Sequence, residues 1–431
     1  MADPETTTDP RTPVQKSCDV IVIGGGPGGA AAAAHLARAG LNTVLVEKDR
    51  HPRFHIGESL LPYSMPLLQE LGVFDRVREI GVHKSGAEFV SDDGDKEVIF
   101  DFSRALFDGP DHAYQVRRSE FDHILFQRAE QEGALTLEET SAKVLSLDAD
   151  RAVVRTESAD GQIIDWTTEF LADASGRSTV TSKMLDQKRP DPRNTSAAIF
   201  GHFRGIPRRQ DARGGNIRIH LTNPGWMWQI PLRDGVTSVG FVAPGRYLRE
   251  RSGGIEELFS QHCARHPHVG AMIASAERDG PLRSTGNFSY RATEAGGDRH
   301  IKIGDAYGFI DPVFSTGVHL ALTSAREAAD VILKAQARPA RRHALIERYD
   351  RAIRKRMSFV SWFIYHINDP TFRHLMLNPQ NILGIEQAVV SLLAGDFRWD
   401  PRLRWRIALF KLVRYLHPPG PVGGQEVKHA G

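Results

Sequence analysis

Asp19-Val-Ile-Val-Ile-Gly24-Gly-Gly26-Pro27-Gly28-Gly29 decides the fold of this chain. Four β-branched residues run into a cluster of glycines, and an alanine-rich stretch from about Ala30 to Ala39 follows. That order spells strand, tight turn and helix. The spacing Gly24-x-Gly26-x-x-Gly29 lets a dinucleotide pyrophosphate reach backbone N–H groups at a helix N-terminus, where any side chain would block the approach. Gly40 stops the helix, and Thr43-Val-Leu-Val-Glu47 supplies the second strand. Glu47 stands where its carboxylate can accept from both ribose hydroxyls of an adenosine.

Downstream, an apolar-periodic stretch covers about Leu60 to Leu71, and Arg118-Ser-Glu-Phe-Asp122 opens another helix before short strands that reach about Val154. Between about Ser196 and Val242 the pattern changes to alternating β-rich segments, Gly215-Asn-Ile-Arg-Ile-His-Leu and Val236-Thr-Ser-Val-Gly-Phe-Val among them. The strand His300-Ile-Lys-Ile303 and a long helix from about Val318 return to the first pattern, and Leu345 to Leu416 is helix-rich. The expected organisation is therefore a lead-in over 1–16, a discontinuous nucleotide-binding domain over 17–190 and 285–340, and an inserted antiparallel sheet over 191–284. A helical C-terminal region over 341–420 and a flexible tail over 421–431 complete it.

The 431 residues suffice for a large buried core, and a formal net charge of +2 gives no reason to expect nucleic-acid binding. Two cysteines, Cys18 and Cys263, support neither a disulfide framework nor a cysteine-based zinc site, and they suit a reducing, cytoplasmic setting. Met1 to Gln15 lacks the apolar core of a signal peptide, and no apolar run approaches the ~20 residues that span a bilayer. His262-Cys263-x-x-His266-Pro-His268 looks metal-like but has no partner cluster, so no metal is expected. In the last helix, Trp405, Leu409, Leu412 and Leu416 fall on one stripe with Arg404, Lys411 and Arg414 off it. Packing over the substrate domain is the expected use of that stripe. A membrane surface, or an acidic carrier protein meeting its basic face, is the other.

Trp226-Met-Trp228-Gln-Ile230-Pro231 adds chemistry to this framework. Taken alone it is an alternating strand with two core tryptophans. Together with the glycine motif, and with Phe309-Ile-Asp-Pro312-Val-Phe314-Ser315-Thr316-Gly317, it resembles the flavin-dependent halogenases, which share a fold with flavin monooxygenases. The resemblance covers residues 18 to 400 and implies an α/β, Rossmann-like FAD-binding domain of the glutathione-reductase/aromatic-hydroxylase type, with the inserted sheet as substrate domain. Gly24, Gly26, Pro27, Gly28, Gly29 and Glu47 would bind FAD. Glu58 and Ser59 in Gly57-Glu-Ser-Leu-Leu-Pro, Arg118, Asp305 after the returning strand, and Gly317 would join them.

The same resemblance implies the other roles. Chloride or bromide would sit at Thr316 and Gly317, and Phe314 and Ser315 would line the substrate pocket. Trp226, Trp228, Ile230 and Pro231 would separate flavin from substrate, so that halide rather than substrate meets the activated oxygen. Lys84, in Lys-x-Gly86-Ala87, would be the catalytic residue, guiding hypohalous acid either as an ammonium or as a haloamine. Tryptophan halogenases place a glutamate where this chain has Phe314, which points to a ring carrying its own activation, a phenol or pyrrole. Reduced FAD from a separate flavin reductase, O₂ and a carrier protein bearing the substrate are the implied partners, in natural-product biosynthesis. Still open are a free phenol as substrate, an aromatic hydroxylase, and a flavin-binding sensor without catalysis.

Overall fold

A computed structural model describes residues 13–249, 253–286 and 289–416. The expected tail 421–431 and residues 1–12 of the expected lead-in lie outside them. The chain forms two compact units: Met1–His83, Ala113–Thr195 and Asn287–Phe359 make the first, and Lys84–His112, Ser196–Gly286 and Val360 onward make the second.

The first unit is built on parallel strands. Ile163–Asp173, Val14–Ile23, Thr43–Val46 and Leu135–Leu137 lie side by side in that order, with His300–Lys302 beyond Ile163–Asp173, every pair parallel. Strands buried on both faces need continuous apolar runs, and Val20, Ile21, Val22, Val44 and Leu45 are all inaccessible to solvent. The helix Pro27–Arg38 packs on Thr316–Ala337 and Arg118–Gln131. Ala30 through Ala34 are buried all round that helix, so their small side chains let neighbouring backbones approach closely. The first strand starts at Val14, inside the segment expected as lead-in. Its early residues are exposed, yet they pair in register from Val14↔Ile164, a backbone bond that a hydropathy reading does not register.

The second unit carries the sheet Glu277–Arg278, Ser196–Arg204, Val236–Pro244, Trp226–Pro231, Ile217–His220, Gly86–Val90 and Glu97–Asp101, in that order. Two expectations need correction. The sheet is mixed, because Gly86–Val90 pairs parallel with Ile217–His220. That pairing also draws residues 84–112 out of the nucleotide-binding domain into this unit. Nor is the C-terminal region one body. Tyr349 Oη donates to the Lys302 carbonyl at 2.7 Å within the first unit, whereas Phe363 stacks on Phe410 at 5.9 Å within the second. One face of the sheet meets the helices Ile255–Ala264 and Pro267–Ala274 through Met227, Val239, Phe241, Phe259 and Val269.

The glycines of the turn do three different jobs. Gly24 has φ +106°, and a Cβ there would stand 2.4 Å from the Ala174 carbonyl. A Cβ on Gly29 would stand 1.8 Å from the Gly24 carbonyl, so this glycine lets the helix seat against the turn. Around Gly26 the space is open, the nearest atom being the Arg53 guanidinium at 3.8 Å. Gly29→Ala should therefore cost about 2 kcal/mol or more of stability by overpacking. Gly26→Ala should leave the thermal midpoint unchanged and abolish flavin binding; parallel thermal melts and flavin titrations separate the two outcomes.

Candidate active site

Around the glycine turn the first unit assembles a charged network that reaches from residue 25 to residue 122. Glu47 Oε2 accepts from the Gly25 amide at 2.7 Å and from Arg53 Nη2 at 3.2 Å, while Oε1 accepts from the Asp49 amide at 3.0 Å. Arg53 Nη1 continues to Asp122 Oδ2 at 3.1 Å. Asp122 in turn takes a bidentate pair from Arg118, Nε to Oδ1 at 2.7 Å and Nη2 to Oδ2 at 2.9 Å. Finally Arg118 Nη1 donates to the Ile56 carbonyl at 2.7 Å, at the threshold of Gly57-Glu58-Ser59. Burial opposes the charge on Asp122, but Arg118 outweighs it and holds the carboxyl below its ordinary range. Arg53 is raised in the same way: burial works against it, and Glu47 and Asp122 prevail.

Arg118 is thus a buried clamp, not a solvated helix-start charge. Gly57 has φ +107°, and a Cβ there would lie 2.9 Å from Arg118 Nη1, which explains glycine at the loop's closest approach. Glu58 and Ser59 are buried, the Glu58 carbonyl accepts from the Val116 amide at 2.8 Å, and Ser59 bridges to Gln115. Arg53 and Asp122 were missed in the sequence. One signal was available, since Arg118 and Asp122 are four apart on a helix and so share a face. Arg53, in a loop, had none.

Asp305 sits in the short 3-10 turn Gly304–Ala306, at its centre and not at its cap. Burial pushes its carboxyl up to about 6, and Tyr290 Oη donates to its backbone carbonyl at 2.7 Å. The turn Asp311–Ser315 ends at Ser315, whose φ of 55° places a non-glycine residue in the left-handed region, and Thr316–Ala337 begins directly after it. That 22-residue helix receives no side-chain capping hydrogen bond from Ser315, its N-cap. Its first amides therefore point, with the positive end of the helix dipole, at whatever occupies the space before them. A Cβ on Gly317 would meet nothing nearer than Phe309 at 4.0 Å. Thr316 and Phe314 are buried and Ser315 half-buried. His319, in the same first turn, faces Ser64 across 3.3 Å, a pairing across 255 positions that nothing local in the sequence announces.

Lys84 belongs to the second unit. It ends the short strand Val82–Lys84, is 1% exposed, and holds its ammonium 5.4 Å from the centre of the Phe102 ring. Burial lowers its pKa from the ordinary 10.5 to about 7. The Gly-Ala context has a physical reason: a Cβ on Gly86 would lie 2.6 Å from the Phe100 carbonyl. Asn216, also missed, fixes the next residue, since its Oδ1 accepts from the Ser85 amide at 3.1 Å and its Nδ2 donates to buried Glu88 at 3.1 Å.

In the strand Trp226–Pro231, alternation puts Trp226, Trp228 and Ile230 on one face, all buried. The two indoles lie 5.9 Å apart. Trp228 also donates from Nε1 to Ser238 Oγ at 3.1 Å and lies across Gly240, where a Cβ would come within 2.4 Å of the indole. Pro231 is the exception to the expected grouping. With Gln229 it falls on the opposite face, where it lines a recess with Glu88, Arg208 and Arg218. The period of two that unites the tryptophans separates Pro231 from them.

The histidines of the metal-like segment are used in packing. His262 stacks on Phe241 at 4.1 Å, and His266 pairs with Asp92 at 2.7 Å. Among the described residues no three His, Cys, Asp or Glu side chains group as metal ligands.

An open turn at Gly26 beside a carboxylate, with a strand-to-turn Asp305 and an uncapped helix in the same unit, is a site that fits FAD. The FAD binding domain family matches residues 17–363. A flavin-dependent halogenase of Armillaria mellea is 34% identical over 74% of this chain and 68% of its own length. The 1H-pyrrole-2-carbonyl-[peptidyl-carrier protein] chlorinase of Pseudomonas fluorescens is 29% identical over 89% of this chain and 90% of its own. Among solved structures, the myxobacterial chondrochloren halogenase, a variant of FAD-dependent halogenases, superposes with a TM-score of 0.78 at 30% identity, covering 93% and 97% of the two chains. The chain belongs to the flavin-dependent halogenase family.

Two measurements follow from this geometry. Asp122→Ala leaves buried Arg118 without its carboxylate and removes one of those paired with half-buried Arg53, and should cost about 3 kcal/mol in denaturant unfolding, with flavin affinity falling in parallel. Lys84, held near 7 in the folded chain but near 10.5 when unfolded, binds fewer protons folded than unfolded between those values. Stability should therefore rise with pH from about 7 to about 10.5, and Lys84→Met should remove that part of the rise. Buried Lys302, lowered to about 8, contributes equally to both proteins, so the difference between their curves isolates Lys84.

Proposed function

We propose that this enzyme chlorinates or brominates an electron-rich phenolic or pyrrolic ring presented as a thioester on a carrier protein. The observation that carries the reading is the buried amine of Lys84, lowered to about 7 and laid against the Phe102 ring. When bound, reduced FAD supplies the two electrons with which O₂ becomes able to oxidise a halide to hypohalous acid. A separate flavin reductase would deliver it, because the sequence holds a single dinucleotide fingerprint.

The remaining steps belong to the chain's own residues. The uncapped amides at Thr316 and Gly317 hold the halide by charge and hydrogen bonding. Glu47 and the open turn at Gly26 would seat the nucleotide half of the cofactor, and Asp305 would accept from its polyol. Arg118 acts on the cofactor through the loop it clamps at Ile56. Neutral Lys84 takes halogen from hypohalous acid: its nitrogen lone pair forms the N–X bond, hydroxide leaves, and the displaced amine proton completes water. The aromatic carbon then attacks halogen, the N–X electrons return to nitrogen, and the ring proton restores the amine. The buried face of Trp226, Trp228 and Ile230 keeps the ring from direct oxygenation, and buried Phe314 makes an apolar contact where an acid would serve a less activated ring. Tethering is supported by the chlorinase relative, which acts on a carrier-bound pyrrole.

The test is mass spectrometry of a reconstituted reaction with FAD, flavin reductase, NADH, O₂ and chloride or bromide. The panel comprises phenols, pyrrole-2-carboxylate and free tryptophan, with each acid also loaded on a phosphopantetheinyl peptidyl carrier protein. A halogen isotope pattern confined to loaded members is expected. Halogenation of free substrates alone, halide-independent oxygen insertion, or no product from any member overturns the tethered reading. Lys84→Ala should lose halogenation by at least a hundredfold while flavin binding and NADH consumption persist; retained halogenation overturns the role of Lys84.

A further inference from the structure

The last helix, Pro401–Leu416, has an apolar face on each side. Leu403, Ile407 and Phe410 are buried, and Phe410 packs on Trp362, Phe363 and Phe372. The other side should be polar in an ordinary amphipathic helix. Instead, Trp405, Leu412, Tyr415 and Leu416 face solvent, with Tyr415 78% exposed. The stripe expected to pack over the substrate domain is therefore mostly open, and only Leu409 of its members is half-buried. Seven of the thirteen large apolar side chains exposed among the described residues fall between Ile382 and Leu416.

The surface is ordered as well as apolar. Pro401, Trp405, Ala408, Leu412 and Tyr415, all exposed, advance by four, three, four and three residues. That is the seam at which one helix receives another. The adjoining turn extends it: Leu383, at φ 54°, stands out into solvent, and its carbonyl accepts from Arg406 Nε at 2.9 Å. The Arg406 guanidinium lies 4.4 Å from the centre of the Trp405 ring. Between Pro401 and Leu416 there are five basic residues and no acidic one. Arg402 and Arg414 pair with Asp400 and Asp369, whereas among the described residues Arg406 donates only to backbone carbonyls.

This surface also connects to Lys84. Arg402 lies over the Phe107 ring at 4.5 Å, the Leu106 amide donates to Ser391 Oγ at 2.8 Å, and Arg104 pairs with Glu386 at 2.9 Å. Five residues before Phe107 is Phe102, the ring that faces the Lys84 amine. Five residues of chain span at most ~18 Å, a reach that a flexible thioester arm can cross.

We propose that the stripe Trp405–Leu412–Tyr415, with its arginine flank, docks an acidic helix of the carrier protein that presents the substrate. A single seam of side chains at heptad spacing suits a helix, whereas a lipid surface would call for a broad apolar face. The basic flank selects an acidic partner. The proposal rests on the tethered reading above.

The test uses the full-length enzyme and the loaded carrier that the panel identifies. Leu412→Glu and Arg406→Glu both change exposed or half-exposed positions remote from the chemistry. Each should raise KM for the loaded carrier at least tenfold with kcat unchanged, and leave turnover of the same acid as its N-acetylcysteamine thioester unaltered. Raising salt should raise the wild-type KM and narrow the gap to Arg406→Glu. Unchanged KM in both variants overturns the docking site while leaving tethering intact, and a panel with no loaded product overturns both. Two further results with unchanged KM also overturn it: loss of binding to phosphatidylglycerol vesicles assigns the face to lipid, and conversion of a dimer to a monomer assigns it to a second copy.

Discussion

Asp122 is the carboxylate on which the nucleotide half of this protein depends. It has no contact with solvent and lies between two arginines. Through Arg53 it reaches Glu47 and the Gly25 amide; through Arg118 it reaches the loop that leads into Gly57-Glu58-Ser59. Two segments expected to approach the same cofactor are thereby tied to one charge. A surface ion pair would contribute little. Here Arg118 and Asp122 are buried and Arg53 is half-buried, so each link depends on the others being made, and the network orders the loops as a unit.

The chemistry of Lys84 has the opposite electrostatic logic. Burial brings its pKa from the ordinary 10.5 down to about 7. Desolvation makes the neutral amine accessible near neutrality, and the proposed transfer of halogen would use its lone pair. The surrounding structure makes this rigid: the Phe100 carbonyl fills the space where a side chain at position 86 would go, and Asn216 anchors Ser85 to buried Glu88.

Legibility in the sequence followed the range of the interactions. The turn at Gly24 to Gly29, the helix at Arg118 and the alternation at Trp226 are local, and period or spacing reveals them. Arg53 with Asp122, Ser64 with His319, and Asn216 with Ser85 are separated by 69, 255 and 131 positions, and no local pattern encodes such pairs. The domain boundary failed for a related reason. Gly86–Val90 reads as a strand from its residues, but only its partner Ile217–His220 shows which sheet it joins, and parallel pairing across so long a gap leaves no turn signature. Pro231 failed for the reverse reason, because a motif was read as a block where the strand reads every second residue.

Among the described residues six non-glycine positions take a left-handed φ, and two of them, with one buried lysine, adjoin the surfaces discussed above. Ser315 takes a left-handed conformation just before the helix Thr316–Ala337, Leu383 takes one while standing in solvent, and Lys84 is a lysine buried to 1% exposure. A chain selected for stability alone would place glycine at the first two and an apolar side chain at the third. Strain of this kind persists where the surroundings over-determine it and the strained residue has work to do. The first position aims amide dipoles into open space, and the third frees a lone pair. If the proposed docking holds, the second, Leu383 beside the apolar seam, has such work too. An exposed leucine in a disfavoured backbone, its carbonyl held by an arginine that also stacks on an exposed tryptophan, would be covered when the carrier protein binds.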